Sequence, residues 1–106
     1  MKMYTVDSKL LTECPEIRIG DKVYPIDDRQ KTVEKMQKVA ASAKQENMMK
    51  MIREVLALAL GEEAAKEVDE ANYPFAASMR IFETVIAAMT GETPEQVGAR
   101  FQNAKA

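Results

Sequence analysis

A mostly α fold, in which a short N-terminal β-hairpin leads into a bundle of four or five helices, is what the sequence predicts. Three observations carry that expectation. Aromatic residues make up only 6% and Trp is absent, whereas eight Met and many Ala, Lys, Glu and Gln favour helix because they lose little rotamer freedom there. Ile17 and Ile19 alternate with charged residues around Gly20-Asp21, which is the period of a half-buried strand running into a turn. From residue 28 onward the apolar residues recur at spacings of three and four, and Gly61, Pro74, Gly91 and Thr93-Pro94 break the runs. The balance of 46% hydrophobic and 30% charged residues is that of a globular chain. A length of 106 residues suits one domain, residues 1–106.

Residues 1–15 read as an irregular arm, with room for a short strand at Met3–Val6. Pro15 blocks a helix there and biases Cys14 towards an extended shape. The hairpin spans residues 16–26. A three-residue loop, Gly20-Asp21-Lys22, would set Ile19 against Val23 and keep the apolar side uniform. A two-residue loop would set Ile19 against Lys22, the poorer pairing. Pro25 donates no ladder bond, so the return strand ends early or lies at an edge.

The helical part spans residues 28–104. Asp27-Asp28 supplies carboxylates for a helix start near Arg29, where the free N–H groups and the positive helix end favour an anion. Val33, Met36, Ala40 and Ala43 share one face of this helix, and Glu34 and Lys38 form a supporting pair. The polar stretch Ser42–Asn47 bends or breaks the helix, and Asn47 is placed to cap the next. Met48–Leu60 carries the stripe Met48, Ile52, Val55, Leu56, Ala59, widened by Met49, Met51, Leu58 and Leu60 almost all the way round. Such a helix is either central or covered by a partner. Gly61 terminates it. Glu62–Glu70 forms a short acidic helix with Ala64, Ala65 and Val68 as its apolar side. Ala71-Asn72-Tyr73 connects to a helix over 74–90, with Phe75, Met79, Phe82, Ile86 and Met89 in one row and Ile81, Val85 and Ala88 beside it. Thr93-Pro94-Glu95-Gln96 is a capping-box pattern that opens a last helix burying Val97 and Phe101.

The residue inventory excludes several chemistries. One cysteine and no histidine leave neither a zinc set nor a Cys–His nucleophile. The lone Cys14 forms no internal disulfide and reads as an inert, half-buried residue of a reducing compartment. No phosphate-cradling glycine loop or calcium loop is present. Glu62-Glu63 and Asp69-Glu70 are paired carboxylates, but on a short polar helix they read as a solvated face. The expectation is a protein that is not an enzyme and takes no cofactor. The N-terminus is too short and polar for a signal peptide, and the longest apolar run, Val55–Leu60, is far below the ~20 residues of a membrane span. The expected location is the cytoplasm.

Net charge is −2, and it is unevenly spread. Residues 1–28 carry four positive and six negative side chains, residues 29–61 seven and three, and residues 62–106 four and eight. Either the basic and acidic parts pack together, or the basic segment meets an acidic partner. A small helical DNA-binding regulator, with a helix-turn-helix around Gly61 or Gly91, is the alternative functional reading. The pI of 5.2, the acidic C-terminal part and the lack of interleaved aromatics count against nucleic acid. What remains is apolar surface. Met side chains mould to helical partners, so Met48, Met49, Ile52 and Val55 are the candidate partner-binding residues. Self-association is the other use of such a face.

The hairpin Ile17-x-Ile19-Gly20-x-Lys22-x-Tyr24-Pro25-Ile26, the capped helix, the apolar helix ending Leu58-Ala59-Leu60-Gly61 and the segment Phe82 to Gly91 together resemble the small tail assembly chaperones of long-tailed bacteriophages and Gram-positive prophages. The likeness covers roughly residues 16–91 and is one of organisation and size. It implies a protein that coats an apolar helical partner, the tape measure protein, until the tail tube protein displaces it. It implies no particular site residue.

Overall fold

The computed structural model describes residues 2–42 and 44–105, and their side chains except those of residue 45 and residues 100–105. Its elements run α1 (Ser8–Thr12), β1 (Glu16–Ile19), β2 (Lys22–Pro25), α2 (Gln30–Ala41), α3 (Met48–Leu60), α4 (Glu62–Ala71), α5 (Phe75–Thr90) and α6 (Pro94–Lys105), with a 3-10 turn at Gln45–Asn47 before α3. The fold is mostly α with one antiparallel hairpin, as the sequence predicts. One element is additional: the arm expected to be irregular holds the short helix α1, whose N-cap Asp7 accepts the Lys9 N–H at 2.9 Å. Residues 3–6 form no strand within the chain.

The hairpin takes the two-residue loop. Ile19 pairs with Lys22 and Ile17 with Tyr24, so Val23 falls opposite Arg18 on the outer face and is 46% exposed. The three-residue expectation is overturned by turn geometry. Gly20 takes φ +63° at the first loop position while Asp21 stays at negative φ, a pattern whose twist matches that of the flanking strands. Lys22, beside Ile19, stays mostly exposed and its ammonium reaches Glu67 at 3.5 Å. Ile26 N–H donates to Pro15 O and Asp27 N–H to Ala59 O, both at 2.8 Å, which ties the hairpin to the end of α3.

The core is one continuous cluster. Its centre is α3, flanked by α2, α4 and α5. Met36 from α2, Met51, Ile52, Val55 and Leu56 from α3, Val68 from α4, Phe82, Val85 and Ile86 from α5, Val97 from α6, and Ile17 and Ile26 from the hairpin are all buried. The predicted stripe of α3 is therefore buried throughout. In the predicted row of α5, Phe82, Ile86 and Met89 are buried, but Phe75 in the first turn is exposed. The expectations for Ala43 and Phe101 fall outside the described residues and side chains.

The helix ends follow the sequence in part. Gly61 at φ +94° and Gly91 at φ +80° end α3 and α5 in backbone that costs glycine nothing. The capping box of α6 forms in both directions: Thr93 Oγ1 accepts the Gln96 N–H at 3.2 Å and Gln96 Oε1 accepts the Thr93 N–H at 2.9 Å. Asn47 stands at the start of α3 without capping it. Its Oδ1 accepts the Lys44 N–H at 2.7 Å and its amide reaches back to Ser42 O, so the side chain closes the preceding turn instead. The Glu34–Lys38 pair does not form; Gln30 donates to Glu34.

Candidate functional site

The four residues singled out for partner binding separate by depth. Met48, Ile52 and Val55 belong to the core, at 5%, 2% and 0% exposure, and Met49 alone reaches solvent, at 38%. The reason is the central position of α3. Enclosed by α2, α4 and α5, it turns nearly every apolar face inward, so the apolar surplus expected of it is covered within the chain. Met49 lies on the side left over, one residue after Met48 and about 100° round the helix.

Met49 borders a small notch of about 60 Å³ where α3, α4 and the start of α5 meet. Ile52, Leu56, Ala65 and Val68 form its floor, and Tyr73 stands at its rim. Of the four predicted residues the structure thus brings two, Met49 and Ile52, to one opening. Sequence reasoning missed Tyr73 because it sits in the connection, where Asn72 turns the chain at φ +51°. The signal was present in the Ala71-Asn72-Tyr73 connection: an aromatic residue in a three-residue link has no helix face to hide on. Phe75, two residues on, is likewise exposed. Arg53 of α3 and Asp69 of α4, which also line the notch, meet at 3.6 Å. This pair joins the basic and acidic parts of the chain. The lysines of α2, Lys31, Lys35 and Lys38, make no ion pair among the described residues.

By volume the notch holds roughly four or five water-sized spheres, enough for one aliphatic side chain and too little for a metabolite. Its floor is apolar, and Met49 can swing to fit what enters. The arrangement suits docking of a single anchor residue from a helical segment.

A second, wider cleft of about 660 Å³ opens between the end of the arm, the Pro25–Arg29 turn and the end of α3, lined among others by Cys14, Ile26, Asp27, Leu58 and Leu60. Cys14 is exposed there, not half-buried, because the strand pairing starts only after Pro15. The Arg29 guanidinium grips Asp27 through Nε and Nη2, both at 2.9 Å, and holds its carboxyl well below the usual carboxylate range, burial opposing. A carboxylate so committed is a structural anion and a poor general base. Tyr24 is displaced the other way: its hydroxyl donates to Glu67 at 2.9 Å, which raises its pKa. Among the described residues no group of three His, Cys, Asp or Glu side chains is placed to hold a metal ion. No described helix is long and apolar enough to cross a membrane.

Comparison with known proteins gives no matching family model, curated protein or solved structure.

Proposed function

We propose that the protein is a non-enzymatic assembly chaperone of the phage or prophage tail type, which holds an apolar helical partner such as a tape measure protein in the bacterial cytoplasm until the tail tube protein takes its place. The observation that carries this reading is the notch beside Met49. An apolar floor, a flexible thioether and an exposed aromatic rim form a shallow seat that takes one apolar anchor at a time. A shallow, adaptable seat suits a partner whose many similar helical segments must each be held briefly, because it makes few demands on sequence. The resemblance of residues 16–91 supplies the partner class.

The test is co-expression with an apolar helical segment of a tape measure protein. A soluble complex is expected, weakened at least about tenfold by Met49→Asp, because a charge at the mouth must be desolvated when the anchor enters. Met49→Asp lies on the surface and is expected to keep the thermal midpoint. Ile52→Asp is the contrast, since it places a charge in the core and unfolds the chain. Absence of any complex, or a complex indifferent to Met49→Asp, overturns the reading.

A further inference from the structure

The most exposed apolar side chains lie outside the packed body, on the arm. Met3 is 90% and Tyr4 88% exposed, and Val6, Leu10 and Leu11 are exposed with them. Residues 2–7 are neither helix nor strand, yet Met3-Tyr4-Thr5-Val6 has the β-branched and aromatic character of a strand. A strand needs a ladder partner, and the arm has none of its own.

The hairpin offers one. Pro15 O accepts the Ile26 N–H, and the register continues through Ile17↔Tyr24 to the turn-closing pair Ile19↔Lys22. Antiparallel ladders alternate, so these odd-numbered residues of β1 turn their backbone groups towards β2, while Arg18 turns its N–H and C=O outward. Nothing among the described residues meets them. Along this open edge runs a groove of about 370 Å³, walled on one side by the consecutive residues Ile17 to Gly20 and on the other by Ala77, Ile81 and Thr84 of α5. Three consecutive strand residues, Ile17 to Ile19, lining one wall means that the wall is the strand's edge, because neighbouring side chains point to opposite faces. An unpaired edge beside an apolar groove is the arrangement that accepts an added strand.

We propose that the arm of a second copy of this chain occupies that groove, with Met3–Val6 adding as a third strand to β1, and that the exchange is reciprocal. With Thr5 opposite Arg18, Tyr4 and Val6 fall on the same face as Ile17 and Ile19 and enter the groove against α5. The area is sufficient. Burial of Tyr4 and Val6 from each of two arms removes on the order of 600 Å² of arm surface, and the groove walls they cover lose a similar area, which together reaches the lower end of the roughly 1,200–2,000 Å² of stable interfaces. The groove shares Tyr73 with the notch beside Met49, but Met49 lines only the notch and the arm is part of neither, so Met49→Asp and Val6→Asp test the two proposals separately.

The experiment uses the full chain, with light scattering for mass and amide hydrogen exchange for the edge. A dimer is expected at about 100 µM, together with Arg18 amide exchange slowed about tenfold relative to dilute protein. Val6→Asp lies on a part of the chain that contributes no core residue, so its helical circular dichroism is expected to match the parent while the dimer is lost. A monomer at every concentration overturns the proposal. So does a dimer that survives Val6→Asp. An Arg18 amide protected in a monomer also overturns it, since the arm then lies on its own strand.

Discussion

Asp27 gathers four donors around one carboxylate: the Arg29 N–H, both forks of its guanidinium, and the Thr32 hydroxyl at 2.9 Å. It therefore organises the first turn of α2 from two residues ahead of the N-cap, an Asx-type turn feeding a helix. Asp27→Ala is expected to cost about 1–3 kcal/mol, the usual worth of hydrogen bonds to a charged group, measured as a shift in urea midpoint. The pH dependence follows from the direction of its shift. The folded carboxyl titrates below its unfolded value of about 3.9, so its contribution is complete above that pH and is lost as pH falls through the folded value. The gap in stability between parent and Asp27→Ala should be constant from pH 7 to about pH 5 and should narrow below pH 4. At this scale the sequence placed a carboxylate ahead of the helix but left Asp27 and Asp28 open and read it as the cap; the N-cap is Arg29, without a side-chain cap bond, and Asp27 acts from two residues earlier. Nor did the sequence tell that Arg29 would close on the same carboxylate, since a surface arginine has many rotamers and only the folded backbone selects one. Cys14 shows the converse: its exposure depends on where pairing begins, and that is a property of the hairpin.

The hairpin and α6 show what an element adds to its residues. Pairing preference alone favoured Ile19 against Val23; the loop geometry available to Gly20 decided for Lys22, and the whole register followed. Side-chain pairs across a ladder contribute tenths of a kcal/mol, so a turn that fits the twist outweighs one poor pair. In α6 the capping box was legible because it is local, three residues apart and self-contained. Gly98 in the same helix was not a legible packing position. It is buried, and a methyl group built there meets the Glu83 Oε2 at 2.9 Å. That neighbour is the free end of a flexible side chain, 4.0 Å from Arg80, so it can move aside at little cost. The helical gain of alanine over glycine, about 1 kcal/mol in an interior position, should then prevail. Gly98→Ala is expected to raise the thermal midpoint by a few degrees in a calorimetric scan, and a lowered midpoint would mean that Glu83 is fixed more firmly than its geometry implies.

Over the whole molecule, the helical core was readable because period and chain length together constrain it, whereas the disposition of surplus apolar residues was not. The sequence located the surplus on the Met48–Leu60 helix, since that run is the most apolar. In the fold that helix is central, and the most exposed apolar residues are those of the arm, where no periodicity marks them. The radius of gyration of 15.0 Å exceeds the roughly 13 Å of a compact chain this long, which places mass outside the core. Charge contributes less to cohesion than its segregation suggests. The ion pairs that link the hairpin and α3 to α4, Lys22–Glu67 and Arg53–Asp69, are half exposed or more on both sides and are worth at most about 1 kcal/mol each. Stability therefore resides in the apolar cluster that runs from Ile17 to Val97, to which α1 and the residues before it contribute no buried side chain. Removal of residues 1–7 consequently separates two properties that a single-domain chain usually loses together. The thermal midpoint of the truncated chain, measured at a dilution where the parent is monomeric, should stay within about 2 °C of the parent's, because no core contact is deleted. At high concentration the parent should gain several degrees through mass action on its dimer, and the truncated chain should gain nothing. A truncated chain that melts lower even when dilute would show that the arm packs on its own body, and that the core extends further towards the N-terminus than Ile17.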